Sequence, residues 1–113
     1  PSLPSAQIYQ VEDLMEVLNS AIIIDVRLKS FYEHGHILGA INLPHDQVED
    51  FPSDFTVSLK RASDSGEKII VYCAGEHCHD AEKIQMALAR EGLKVGIYTA
   101  GWDEWSQLGL PTE

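Results

Sequence analysis

Two short apolar runs, Ala21-Ile22-Ile23-Ile24 and Ile69-Ile70-Val71-Tyr72, constrain this chain more than any other feature. Neither alternates with polar residues, and both are rich in β-branched side chains. A half-buried strand alternates; a strand covered on both faces reads as a continuous apolar run. These two segments are therefore expected to be inner strands of a parallel sheet. Weaker candidates at Ile8-Tyr9, Ile41-Asn42-Leu43 and Val95-Gly96-Ile97-Tyr98 bring the expected number to five. Helical patterns lie between them. Val11, Leu14, Met15 and Leu18 recur at helical spacing, with Glu12, Asp13 and Glu16 off that stripe. Ala81, Ile84, Ala87 and Leu88 form a second stripe opposite Glu82, Lys83 and Arg90, with Gly92 as its stop. Trp102 to Leu108 reads as the last helix, ended by Gly109 and Pro111. Phe51 to Lys68 is broken by Pro52, Ser53, Ser63, Ser65 and Gly66, and is expected to hold one short helix around Phe55–Ala62. Strands alternating with helices predict an α/β fold: an open, mainly parallel five-stranded sheet with helices on both faces.

With 113 residues the chain has room for one domain, taken here as residues 1–113 with 1–6 as a flexible N-terminal tail. It carries 8 basic against 18 acidic residues, a net charge of −10. Such a domain repels phosphate backbones and anionic lipid surfaces, so neither nucleic acid nor membrane is expected as a partner. No apolar run approaches the roughly 20 residues of a membrane span. The opening Pro1-Ser2-Leu3-Pro4-Ser5 lacks the charged start and apolar stretch of a signal peptide. Cys73 and Cys78 are five positions apart, too close for a useful staple. Chemistry suits them better than stapling, and a reducing compartment, the cytoplasm, better than an oxidising one.

In open α/β sheets, ligands sit beyond the carboxyl ends of the strands. Three such ends stand out: Asp25-Val26-Arg27, Pro44-His45, and Cys73-Ala74-Gly75-Glu76-His77-Cys78-His79. The last joins the strongest strand to the strongest helix. A thiol there meets backbone N–H groups and a helix N-terminus, which favour a thiolate or a bound anion. Ala74, Gly75, Glu76, His77, Cys78 and His79 would form that cradle. From these residues alone, Cys73 reads equally as a reactive thiolate or as an inert cysteine closing a core strand.

Three separated motifs extend the reading. Asp25-Val26-Arg27 followed by Glu33-His34-Gly35-His36-Ile37-Leu38-Gly39-Ala40-Ile41-Asn42-Leu43-Pro44 closely resembles the opening signature of the rhodanese-like family. Val71-Tyr72-Cys73 and its loop resemble the family's active-site segment. Gly101-Trp102-Asp103-Glu104-Trp105 with Gly109-Leu110-Pro111 is similar to its C-terminal signature. The resemblance runs from about Ile8 to Thr112 and implies a single rhodanese domain. It also implies sulfur transfer. Cys73 would take sulfane sulfur from a small donor, hold it as a persulfide, and pass it to a thiol or other nucleophilic acceptor. Loop amides would steady the anion, and no cofactor would be needed.

The loop also departs from the family's common pattern, which has Gly three after the cysteine, Arg five after it, and Ser or Thr next. Here those positions hold Glu76, Cys78 and His79, giving a variant of the form Cys-x-Gly-x-x-Cys. Loss of the loop arginine argues against dianionic thiosulfate as donor. It also argues against phosphatase-like chemistry, which needs a guanidinium fork. A Glu76 carboxylate about 6 Å from the thiolate would cost about 2.8 kcal/mol at an effective dielectric near 20, but about 0.7 kcal/mol in water. Glu76 is accordingly expected to face solvent.

Cys78 is open between a helix-start residue without chemistry and a candidate resolving thiol that would leave a disulfide. Both thiols are expected free at rest, because a cradle open toward an anion should hold its ends at or beyond disulfide reach. Cys73, His77, Cys78 and His79 are all metal-ligand types. Adjacent residues diverge, however, and structural zinc sites use wider spacings, so no metal is assigned. Asp25 and Arg27 are read as a supporting pair, His34 and His36 as structural, and Phe31 as packing near the site mouth. Trp102 and Trp105 are read as rim and core. The leading expectation is a sulfurtransferase-type domain built on Cys73. A catalytically silent binding or regulatory module, and a redox sensor using Cys73 and Cys78, are the alternatives.

Overall fold

The computed structural model describes residues 6–50 and 53–113. Five strands, β1 (Ile8–Tyr9), β2 (Ile22–Asp25), β3 (Ile41–Asn42), β4 (Ile69–Tyr72) and β5 (Gly96–Tyr98), form one sheet in the order β1-β5-β4-β2-β3. All four pairings are parallel, and Ile22, Ile23 and Ile24 of β2 lie opposite Ile69, Ile70 and Val71 of β4. The two apolar runs are thus neighbours at the sheet's interior, and β4 is buried throughout. Among the described residues, five α-helices flank the sheet, α1 (Val11–Val17), α2 (Lys29–His34), α3 (Ser53–Asp64), α4 (Asp80–Arg90) and α5 (Gly101–Gln107), and a 3-10 segment spans His45–Asp50.

Strand alternation divides the core into two layers. Ile24, Val71 and Ile97 face Leu59 of α3 and Ala81, Ile84 and Leu88 of α4. Ile23, Ile70, Tyr72 and Tyr98 face Leu14 of α1 and Trp105 of α5 on the opposite side. This is the expected open, parallel five-stranded sheet with helices on both faces.

Several local expectations shift. Within the α1 stripe Leu14 is fully buried while Met15 is 49% exposed, because a seven-residue helix brings one side chain to the core centre. In α4, Gln85 and Ala89 are buried and Ala87 is only half-buried. The helix expected at Phe55–Ala62 is longer, spanning Ser53–Asp64. Helix α2 was not anticipated: none of its six residues is buried, so no apolar stripe announces it. Of the expected N-terminal tail, residues 1–5 lie outside the described residues, and Ala6 packs against the α3/α4 layer. Phe51 and Pro52 also lie outside the described residues.

Candidate active site

Cys73 follows directly on β4 and is 5% exposed. Its backbone is fixed by α5: the Trp102 N–H donates to the Cys73 carbonyl at 3.0 Å and the Asp103 N–H to the Ala74 carbonyl at 2.8 Å. This docking demands glycine at one place. Gly101 has φ +63°, and a Cβ there would collide with the Cys73 carbonyl. A Cβ on Gly75 would lie 2.7 Å from Asp103 Oδ2, a contact the Asp103 side chain can relieve by moving. The C-terminal Gly101-Trp102-Asp103 motif therefore positions the cysteine loop rather than acting apart from it.

The loop itself folds more tightly than expected. The Cys78 N–H donates to the Gly75 carbonyl at 3.1 Å, closing a turn over residues 75–78. That turn brings the Cys73 and Cys78 Cα atoms to 6.2 Å, and the two sulfurs are joined in a disulfide. The expectation of two free thiols at rest is corrected here: the turn draws the ends of the loop inside the roughly 4.4–6.8 Å reach of a disulfide. Ala74, Glu76, His77 and His79 are exposed, and Gly75 is half-buried. Glu76 faces solvent as expected. His79 is 79% exposed, with Nδ1 at 3.8 Å from Glu82 Oε1.

The side chain that does approach the cysteines is Asp80, the first residue of α4. Its Oδ2 lies 3.3 Å from Cys78 Sγ and 3.5 Å from His45 Nε2. Donor atoms of Cys73, Cys78 and Asp80 gather within 4.8 Å of one another, whereas His77 and His79 do not join them among the described residues. With the sulfurs bonded to each other, neither presents a thiolate to a cation, and no metal is assigned.

A cavity of about 420 Å³ opens beside Cys73 and Cys78, lined by Arg27, Phe31, His45, Asp80, Trp102 and Asp103 among others. Arg27 reaches it already committed. Its Nη2 donates to Asp25 Oδ2 at 2.7 Å and to the Gly35 carbonyl at 2.6 Å, and its guanidinium lies 4.8 Å from the Trp102 ring centroid. Asp25 is fully buried. It also accepts the Tyr72 hydroxyl at 2.6 Å, while that hydroxyl accepts the Ile37 N–H at 3.1 Å. Burial, followed by the negative charge of Asp25, pushes the Tyr72 phenol far above its ordinary range. Asp25 and Arg27 thus form a supporting pair under the cavity floor. Phe31 sits at the mouth, 59% exposed, and Trp102 and Trp105 take the rim and core places expected of them.

His45, Asp80 and Asp103 complete the cavity wall. His45 follows β3, one of the strand ends flagged from the sequence. Asp80 reaches the cysteines locally, two residues beyond Cys78 at the start of α4. Asp103 carries no local signal that would bring it to Cys73; its approach depends on β5 lying beside β4, which only the strand order supplies.

The family model for the rhodanese-like domain matches residues 8–108. An HTH-type transcriptional regulator of Mycobacterium tuberculosis is 31% identical over 91 residues, covering 80% of this chain. The chain spans 37% of that curated relative's length. Among solved structures, the BH2092 protein of Bacillus halodurans superposes with a TM-score of 0.80 at 26% identity, covering 96% of this chain and 77% of its own. A thiosulfate sulfurtransferase from Pseudomonas aeruginosa shares the fold, with a TM-score of 0.73 at 22% identity over 96% of this chain and 20% of its own. No helix among the described residues is long and apolar enough to cross a membrane. With its three motifs assembled around one cysteine and a family model matching nearly its whole length, this chain belongs to the rhodanese-like domain family.

Proposed function

We propose that this domain is a sulfurtransferase that carries sulfane sulfur as a persulfide on Cys73, working in the reducing cytoplasm. The observation that carries the reading is the position of Cys73. It follows directly on the central strand and lines a cavity large enough for a small donor. The thiolate of Cys73 attacks the sulfane sulfur of the donor, and the donor's leaving group departs with the bonding electrons. A thiol acceptor then attacks the outer sulfur, and the Cys73 thiolate is restored. Reduction of the Cys73–Cys78 bond is a precondition, since the disulfide holds no nucleophile.

The test is direct. The reduced chain is incubated with sodium tetrasulfide, desalted, and weighed intact. A gain of one sulfur, located on Cys73 and absent in Cys73→Ser, is expected. A Cys73→Ser chain that loads as fully as the wild type overturns the assignment. A second reading, a thiol redox sensor, draws support from the disulfide itself. It is favoured if the chain cycles between dithiol and disulfide with oxidant and reductant yet never gains sulfur.

A further inference from the structure

We propose that Cys78, served by Asp80 and His45, turns the Cys73 persulfide over internally, releasing hydrosulfide and closing the disulfide. This rests on the sulfur-carrying reading of Cys73 and adds a second activity, persulfide reduction, at the same site.

Three features of the site converge on this step. The first is reach. The turn over residues 75–78 puts the Cys78 sulfur within bonding distance of Cys73 Sγ, the inner sulfur of a persulfide, without unfolding any element. The second is the carboxylate. Asp80 Oδ2 stands 3.3 Å from Cys78 Sγ, in place to accept a proton from the Cys78 thiol. The third is the imidazole. His45 Nε2, on the same cavity wall, lies 3.5 Å from that same oxygen, in place to hold the carboxylate beside the sulfur. Glu82, two residues further along α4, faces His79 instead and leaves Asp80 the single carboxylate on Cys78 among the described residues.

The step balances as follows. The Cys78 thiol gives its proton to Asp80, and its sulfur attacks Cys73 Sγ. A bond forms between the two cysteine sulfurs, and the bond from Cys73 Sγ to the outer sulfur breaks. The outer sulfur takes the bonding pair and the proton returned by Asp80, and leaves as hydrosulfide. Without that proton it would have to leave as a dianion, which makes the relay more than a convenience. The outer sulfur is reduced, and the two cysteines are oxidised to the disulfide present in the structure. An external dithiol then reduces that bond and is itself oxidised, which completes a cycle.

The experiment follows a single turnover. The reduced chain is loaded with sodium tetrasulfide, rapidly desalted, and followed without added thiol by hydrosulfide release, free-thiol titration and intact mass. Wild type is expected to release one hydrosulfide per sulfur loaded, losing both cysteine thiols as it does so. Cys78→Ser is expected to load sulfur on Cys73 and keep it. Asp80→Asn is expected to release hydrosulfide at least about tenfold more slowly, at the low end of general acid–base effects, with Asp80→Glu recovering much of the loss. His45→Gln is expected to fall between them. If loaded wild type retains its sulfur with the Cys78 thiol still titratable, this inference is overturned and the carrier reading stands. If wild type never loads, both fall. Equal release rates in wild type and Asp80→Asn overturn the relay.

Discussion

At the level of single residues, the site is decided by which charges are already satisfied. Arg27 could serve as a ligand for an anion, but the sequence reads it as a partner of Asp25, and Asp25 and the Gly35 carbonyl do hold it. Removing it would strand a fully buried carboxylate. Arg27→Ala is expected to lose about 3–5 kcal/mol of stability in a denaturant titration, the usual cost of breaking a buried pair. Tyr72 completes the same cluster and makes a pH prediction. Its phenol is raised above the ordinary value of 10.0 in the folded chain, first by burial and then by Asp25. The stability this contributes is fully present below pH 10.0 and is lost as the pH climbs from there toward the folded value, because the unfolded chain ionises first. Tyr72→Phe should lower stability at neutral pH and flatten that alkaline decline. An unchanged slope above pH 10.0 would place the alkaline sensitivity elsewhere, Tyr98 being the next candidate, since burial and its bond to Glu104 raise it too.

Among the elements, α5 is the one that makes the cysteine loop rigid, through its first turn. Gly101→Ala forces a left-handed backbone on a residue with a Cβ and pushes that Cβ into the Cys73 carbonyl. It should cost at least about 1 kcal/mol and, by displacing the loop, slow sulfur loading as well. Stability loss with unaltered loading would show that the loop does not depend on α5. These elements differ in how readable they were. β2 and β4 announced themselves because strands covered on both faces must be apolar throughout. The place of Cys73 at the end of β4 was legible too, as a polar, thiol-bearing stretch between such a strand and a helix, but its chemistry was not, since an inert core cysteine reads the same way. Helix α2 was silent because its six residues bury none fully, only Tyr32 packing in part against the core, and so leave no periodic trace. The Cys78–Asp80–His45 cluster was silent for another reason. His45 and Asp80 are brought together by β2 pairing with both β3 and β4, a matter of strand order that local pattern does not encode. The turn that joins the cysteines hangs on one backbone bond, Cys78 to Gly75, which composition could not foretell.

For the whole molecule, charge governs which donors can arrive. The net charge is −10, Asp80 and Asp103 add carboxylates to the cavity wall, and the charge of Arg27 is balanced by Asp25. A dianion such as thiosulfate meets repulsion over about one Debye length, ~8 Å at physiological salt. Thiosulfate should therefore load Cys73 more slowly than a polysulfide, and added salt should narrow the gap. Thiosulfate loading that is fastest at low salt would reverse this electrostatic reading. The sheet bears on a separate matter, how the domain behaves among its own copies. Among the described residues its outermost strands, β1 and β3, are two residues each, so each of these strands offers only a couple of backbone groups for another chain to zip onto. Ile8 and Ile41 lie exposed there without a ladder long enough to recruit a partner strand. The fold can thus be crowded, or joined in tandem to other domains, with little tendency to seed the strand-by-strand growth that leads to fibrils.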